Sequence, residues 1–375
     1  MKNTDKSLIL DSHKLGCHIE RVEAWEAGER IAPISVDMAL TRACGAMCTF
    51  CYAMVQESQH RSSIKELHAR NLLDDFKEIG VKSVSLVSDG ESTLARAYIP
   101  FIKHAKEIGI DVANGTNAWE WDAEKVDEVL PSLTWVRFTV AAGTPEKYAE
   151  MMYKSKQDTH VFDRAMRNIK YAVDLKRRLG LNVTLGIQMV LLPDMKNDII
   201  PFAQLGLDLG VDYAVIKHCS DDEVGSLGIN YSEYEALYET LKIAELMGNE
   251  KTKIIVKWNK IADGENFSYK RVHGPQFLLQ LSGSGLVAPA GVFFNSKFSK
   301  FHIGNFTEER FKNIWKSERY WRVMRYLASE KFDPKRMMGS LPIAHYVNVA
   351  LDRHIKQIEK IKPIKGELPL HSNFL

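Results

Sequence analysis

The sequence predicts an α/β chain, a partial, TIM-like (β/α)6 barrel followed by a small α+β C-terminal extension. Three features point that way. From Ile34 to about Cys219, short runs rich in Val, Ile and Leu alternate with stretches whose apolar residues recur at helical spacing, the pattern of parallel βα units. The residues with chemistry to offer fall at the C-terminal ends of the predicted strands, where loops converge in such barrels. Beyond about residue 266 the pattern changes to a hairpin signal and short helices.

In chain order, residues 1–33 read as an arm with an amphipathic fragment around Val22-Glu23-Ala24-Trp25, and 34–225 as the barrel. The first strand is Ile34 to Leu40. Ser62 or Ser63 opens a helix with Leu72, Phe76 and Ile79 on one face and Gly80 as its stop. Val84 to Val87 is the second strand and ends in Ser88-Asp89-Gly90-Glu91-Ser92. A helix from Ile99 to Gly109 leads to the strand Ile110 to Ala113 and the loop Asn114 to Asn117; Asp122 then caps a short helix. Trp135 to Val140, Val183 to Leu191 and Tyr213 to Lys217 are the last three of six strands. Residues 226–266 hold a linking helix, capped at Ser232 with Glu235 three residues on, and the apolar strand Ile254 to Val256. In the extension, 267–345, Ser282-Gly283-Ser284-Gly285 separates two apolar runs as a hairpin turn would, and Thr307 starts a helix with Phe311, Ile314 and Trp315. Residues 346–375 form a C-terminal helix and tail.

Composition narrows the function classes. The chain has 375 residues, 45% of them hydrophobic, enough for a full core. Fifty Lys and Arg face 48 Asp and Glu with the signs interspersed, so there is no electrostatic footprint for nucleic acid. No apolar run reaches the ~18 residues of a membrane span, and Met1 to Lys6 lacks a signal-like core, which points to a cytoplasmic protein with no membrane partner. Of five cysteines, Cys44, Cys48 and Cys51 fall within eight residues after the first strand, at C-x3-C-x2-C spacing. That is a poor disulfide framework and a good metal loop for a reducing compartment. Three thiolates can hold three irons of a [4Fe-4S] cluster and leave the fourth open to a small ligand. A structural zinc site is the alternative, and it lacks a nearby fourth ligand.

This spacing, with an aromatic residue, Phe50, just before the third cysteine, resembles the signature of the radical S-adenosylmethionine (radical SAM) superfamily. The resemblance implies that Cys44, Cys48 and Cys51 ligate one [4Fe-4S] cluster, whose open iron is chelated by S-adenosyl-L-methionine, and that Phe50 lies against the adenine. Asp89-Gly90-Glu91-Ser92 resembles the family's Gly-Gly-Glu-Pro motif, which meets the methionine amino group, with Asp for the first Gly and Ser for Pro. Thr139 stands where family members often bear a hydroxyl for ribose or carboxylate. Asn117 and Gln188, at the ends of the third and fifth strands, are further cofactor-binding candidates. A plain turn, a core aromatic and ordinary polar positions are the alternatives for these residues.

Lys217, His218 and Cys219 close the sixth strand. A thiol facing the barrel mouth could return a hydrogen atom to a substrate radical, and Lys217 or His218 could bind a carboxylate or act as an acid; the alternative for Cys219 is a small buried residue. The extension resembles the SPASM or twitch domain of these enzymes, but His273, Ala290, Met338 and Pro342 stand about where auxiliary-cluster cysteines would be expected. One cluster is therefore the expectation.

The resemblance implies an enzyme that cleaves S-adenosylmethionine reductively to a 5′-deoxyadenosyl radical and takes a hydrogen atom from a peptide or protein side chain, with flavodoxin or ferredoxin as reductant. Two other readings stay open: epimerisation, dehydrogenation or rearrangement of a sugar, nucleotide or other small metabolite, and a non-catalytic iron-sulfur or S-adenosylmethionine-binding protein.

Overall fold

Strands apolar on both faces, each followed by a helix with one apolar stripe, can bury themselves only in a parallel sheet covered by helices. The computed structural model has this form, and it describes residues 8–51, 62–264, 266–337 and 344–375. The strands are β1 Ser35–Met38, β2 Ser83–Leu86, β3 Asp111–Thr116, β4 Trp135–Thr139, β5 Thr184–Leu191, β6 Tyr213–His218, β7 Lys253–Val256, β8 Leu278–Leu281, β9 Leu286–Ala288 and β10 Gly304–Asn305. They form one sheet in the order β10-β9-β8-β1-β2-β3-β4-β5-β6-β7. From β8 through β1 to β7 every pairing is parallel; β8, β9 and β10 are joined antiparallel.

The parallel sheet therefore extends past the six expected strands at both edges. The run Ile254 to Val256 pairs with β6, and the predicted hairpin, β8 and β9, pairs through β8 with β1. The extension thus shares its sheet with the barrel.

Register fixes what faces the concave interior, because side chains alternate along each strand. Asp37 pairs with Ser85 and Gln280, Ser85 with Ala113, Gly115 with Arg137, Thr139 with Gln188, and Val190 with Lys217. These side chains share the inner face. The opposite set, including Val36, Met38, Val84, Val112, Val136, Ile187 and Ile216, is fully buried under the helices.

The helix Glu66–Ile79 buries Ala69, Leu72, Leu73 and Phe76 and ends at Gly80 with φ 92°. It starts later than expected: neither Ser62 nor Ser63 caps it, and the Ser63 hydroxyl donates to Thr41 Oγ1 instead. Asp122 does cap its helix, Ala123–Val129. The expected cap at Ser232 is replaced by Asn230, which accepts the Ser232 N–H, and Thr307 caps no helix but sits in a turn in which Asn305 accepts its N–H and hydroxyl. The helix near Thr307 forms only at Phe311–Lys316. It docks on Glu66–Ile79 through Phe311 edge-on to Phe76 at 4.9 Å and through Arg310, which donates to both oxygens of the fully buried Asp75.

Arm and tail close the other end of the barrel. Lys14 Nζ donates to the Phe374 and His371 carbonyls (2.5 and 3.1 Å), and Ser83, at the start of β2, donates to the Asn373 carbonyl. Asn373 donates to Asp111 at the start of β3, and the Phe374 ring meets Trp135 at the start of β4. No described helix is long and apolar enough to cross a membrane.

Candidate active site

The cysteine loop leaves the C-terminal end of β1 and is pinned through its backbone and through the Thr41 hydroxyl. Leu40 N–H donates to Ser92 Oγ, Thr41 Oγ1 to the Ser62 carbonyl, and Glu91 N–H to the Ala43 carbonyl at 2.8 Å. Met47 and Thr49 N–H groups donate to the Met152 and Met151 carbonyls at the end of the helix Pro145–Tyr153. Cys48 Sγ lies 3.6 Å from Met152 Sδ, and Phe50 is half-buried against the core.

Two glycines grip the strand-to-loop junction. A Cβ on Gly90, whose φ is 118°, would lie 2.1 Å from the Thr41 carbonyl oxygen, and one on Gly283 would lie 2.3 Å from the Thr41 carbonyl carbon. Only residues without a side chain let the loop after β2 and the hairpin turn close on Thr41-Arg42 from both sides. Asp89 fastens them. Its carboxylate accepts from Ser282 Oγ (2.6 Å) and Gly283 N–H (2.9 Å) and pairs with Arg42 Nε at 3.2 Å. Asp89 was expected to contact the cofactor; its oxygens are instead occupied within the protein, because the residue is buried and its charge must be matched there.

Glu91 is likewise buried. Its carboxylate accepts from Thr93 Oγ1 (2.8 Å) and from Asn117 N–H (2.9 Å), tying the loop after β2 to the end of β3. Burial raises its pKa, opposed by these donors. Asn117 follows the last residue of β3, as expected, but its side-chain oxygen accepts the Trp119 N–H in a local turn. Thr139 ends β4, facing inward. Gln188 shares its level but is not at a strand end: β5 continues three residues further, to Leu191. Gln188 is buried, and its Oε1 has no partner among the described residues.

The three residues closing β6 separate. Lys217 shares the inner face with Val190, whereas His218, next along the strand, points to the opposite side. There its ring meets Tyr231 and Tyr234 edge-on, and Nδ1 donates to the Cys219 carbonyl at 2.6 Å. Burial first, then Lys260, lowers its pKa to about 3. His218 is thus a neutral packing residue and not an acid at the mouth, as strand alternation requires. Cys219 is fully buried at the end of β6, within electrostatic reach of Lys217 and Lys260, and burial pushes its thiol up to about 12.

Sequence reasoning missed the cations beside Lys217. Arg137 lies on the inner face of β4, two residues before Thr139, so the same alternation could have found it. Lys257 follows β7, its N–H bonded to the Ile216 carbonyl, and Lys260 Nζ reaches Ser220 Oγ at 2.8 Å. Lys257 is lowered to about 7 by burial, then by Lys260 and Arg137; burial lowers Lys260 to about 8.

Among the described residues no three His, Cys, Asp or Glu side chains gather to hold a single metal ion. A cubane requires something else, one thiolate for each of three irons on one loop. Cys44, Cys48 and Cys51 suit it: the Cys48 thiol is raised by burial first and then by Cys51 and Cys44, so the sulfurs lie within electrostatic reach of one another. Of the positions matching auxiliary ligands, Ala290 is buried and His273 packs on Trp25 at 5.2 Å; Met338 and Pro342 lie outside the described residues.

A family model described as the radical SAM superfamily matches residues 38–205. Solved structures with similar folds include SuiB from Streptococcus suis bound to precursor peptide SuiA, 16% identical, with a TM-score of 0.61 over 94% of this chain and 78% of that one. Another is anSMEcpe with bound AdoMet, 12% identical, with a TM-score of 0.57 over 87% and 98%. No curated protein matches the chain in sequence. The matched segment runs from the end of β1 to the helix before β6 and contains the cysteine loop, so this part of the chain carries a radical SAM domain, that of enzymes whose cofactors are a [4Fe-4S] cluster and S-adenosylmethionine.

Proposed function

We propose that Cys44, Cys48 and Cys51 each ligate one iron of the cluster and that S-adenosylmethionine sits across the C-terminal ends of β1 to β5. The observation that carries this is the cysteine loop, fixed by backbone bonds to Ala43, Met47 and Thr49 above the sheet. When bound and reduced by one electron, S-adenosylmethionine supplies methionine and a 5′-deoxyadenosyl radical that takes a hydrogen atom from substrate. Phe50 shields the adenine, and Gly90 and Glu91 shape the edge that meets the methionine. Glu91, held by Thr93, Thr116 and the Asn117 N–H, puts a carboxylate at that edge for an ammonium. Thr139 offers a hydroxyl from the inner face of β4. Asp89 acts one step back, as a positioning residue.

The substrate is a peptide or protein side chain. Supporting this is a fold shared over most of the chain with SuiB solved with its precursor peptide. The alternative, a small metabolite, is favoured by the half-buried cations inside the barrel, which a compact polar molecule could reach. Cys219 could return a hydrogen atom through its S–H bond to a carbon radical; the thiyl radical left behind then takes one electron from flavodoxin or ferredoxin and one proton from water.

The test is anaerobic reconstitution with iron and sulfide, then dithionite and S-adenosylmethionine. Wild type should release 5′-deoxyadenosine and Cys48→Ala none. A fully loaded wild type that makes no product refutes the reading. Deuterium from solvent should enter the product in wild type and be lost in Cys219→Ala; equal incorporation would remove the donor role.

A further inference from the structure

We propose that Arg137, Lys217 and Lys257 receive an anionic group of the substrate, a carboxylate or a phosphate, inside the barrel below the cysteine loop. The inference rests on the reading that the substrate enters the barrel, and it names the substrate's chemistry. Arg137 and Lys217 lie on the inner faces of β4 and β6, Lys257 directly follows β7, and Lys260 stands beside them on the helix Trp258–Asp263. Three strands and a helix therefore deliver four cations to one side of the barrel.

Little on the protein answers them. Lys217 feels Lys260, Arg137 and Lys257, and with opposite sign the thiol of Cys219. Asp37 faces Arg137 but also engages Ser85 and Gln280, and Asp11 reaches Lys257 and Lys260 from the arm while accepting the Asn259 N–H at 2.8 Å. Neither Lys217 nor Lys257 has a carboxylate within ion-pair distance among the described residues. Arg137 Nε is buried without a hydrogen-bond partner, and so is Gln188 Oε1 on the neighbouring strand. Like charges gathered in a half-buried space destabilise the fold unless a ligand of opposite charge uses them. A guanidinium with two ammonium groups matches an oxyanion in charge and in donors.

Inorganic phosphate is the first probe, added to the anaerobically reconstituted enzyme and followed by phosphorus-31 line broadening and by thermal midpoint. Wild type should bind it, Lys217→Met and Lys257→Met should weaken it at least tenfold, and Lys217→Arg should retain it. Equal binding in wild type and both Met variants, no binding in wild type, or loss in Lys217→Arg as large as in Lys217→Met would each overturn the proposal. Competition then separates the sources. Displacement by a sugar phosphate but not by an acetylated glutamyl tripeptide identifies a small metabolite, and the reverse an acidic peptide; displacement by neither marks an adventitious ion only and overturns the proposal. Release of 5′-deoxyadenosine is scored in parallel. Cleavage with phosphate indifferent to the lysines removes this inference alone, and phosphate binding without cleavage removes the proposed reaction alone.

Discussion

At the scale of single residues, the site depends on groups that never touch a ligand. Asp89→Ala would leave the Ser282 hydroxyl and Gly283 N–H without their buried acceptor, at a cost of about 3 kcal/mol. Chemical denaturation should show that loss, and iron content per chain should fall with it. Gly90→Ala forces a methyl onto the Thr41 carbonyl at positive φ and should cost about 2–3 kcal/mol with the same loss of iron. Lys257 gives a pH test. Burial, Lys260, Arg137 and Lys14 depress it to about 7, with Asp11 opposing. The unfolded chain therefore binds the extra proton between about pH 7 and the ordinary lysine range, and stability rises with pH across that window. Wild type should gain more in thermal midpoint from pH 7 to 9.5 than Lys257→Met; equal gains would refute the depressed lysine. In the sequence the three cysteines stand out by their spacing, and Glu91 by the resemblance of its motif. The partners of Asp89 were not legible, because Ser282 and Gly283 stand almost two hundred positions along the chain and no local pattern announces such a bond.

At the scale of elements, the decisive contact joins a barrel helix to the extension. Asp75 on Glu66–Ile79 is fully buried and holds Arg310, while Phe76 and Phe311 pack beside it. Asp75→Asn should loosen the helix Phe311–Lys316, by about 2–3 kcal/mol locally, read as faster hydrogen exchange there than in β3 or β5. Unchanged exchange would mean that the aromatic pair alone holds the joint. Six strands and most helices could be read from periodicity, since each buries one continuous face. The helix starts could not, because Asn230 caps where Ser232 seemed to, and Asn305 holds Thr307 in a turn ahead of the helix.

At the scale of the whole molecule, parallel pairing from β8 to β7 makes the extension part of the barrel wall. Sequence patterning identified the hairpin but not its partner, since a strand's apolar run says that it is covered and not which edge it joins. The tail seals the barrel floor through Lys14, Ser83, Asp111 and Trp135. Phe374→Ala, removing a ring that is 4% exposed, should cost about 3 kcal/mol by denaturation with iron content unchanged, because the floor lies at the far end from the cysteines.

The grip on Thr41-Arg42 also orders events in time. One jaw, Gly90, follows the cysteines closely on the chain; the other, Gly283, is synthesised almost two hundred residues later. The cysteine loop of a nascent chain is thus only half clasped, and its final shape waits for the hairpin to dock on β1. Iron delivery is in this sense a late step of maturation, and a ribosome-stalled chain ending before β8 should take up far less iron than one carrying the hairpin.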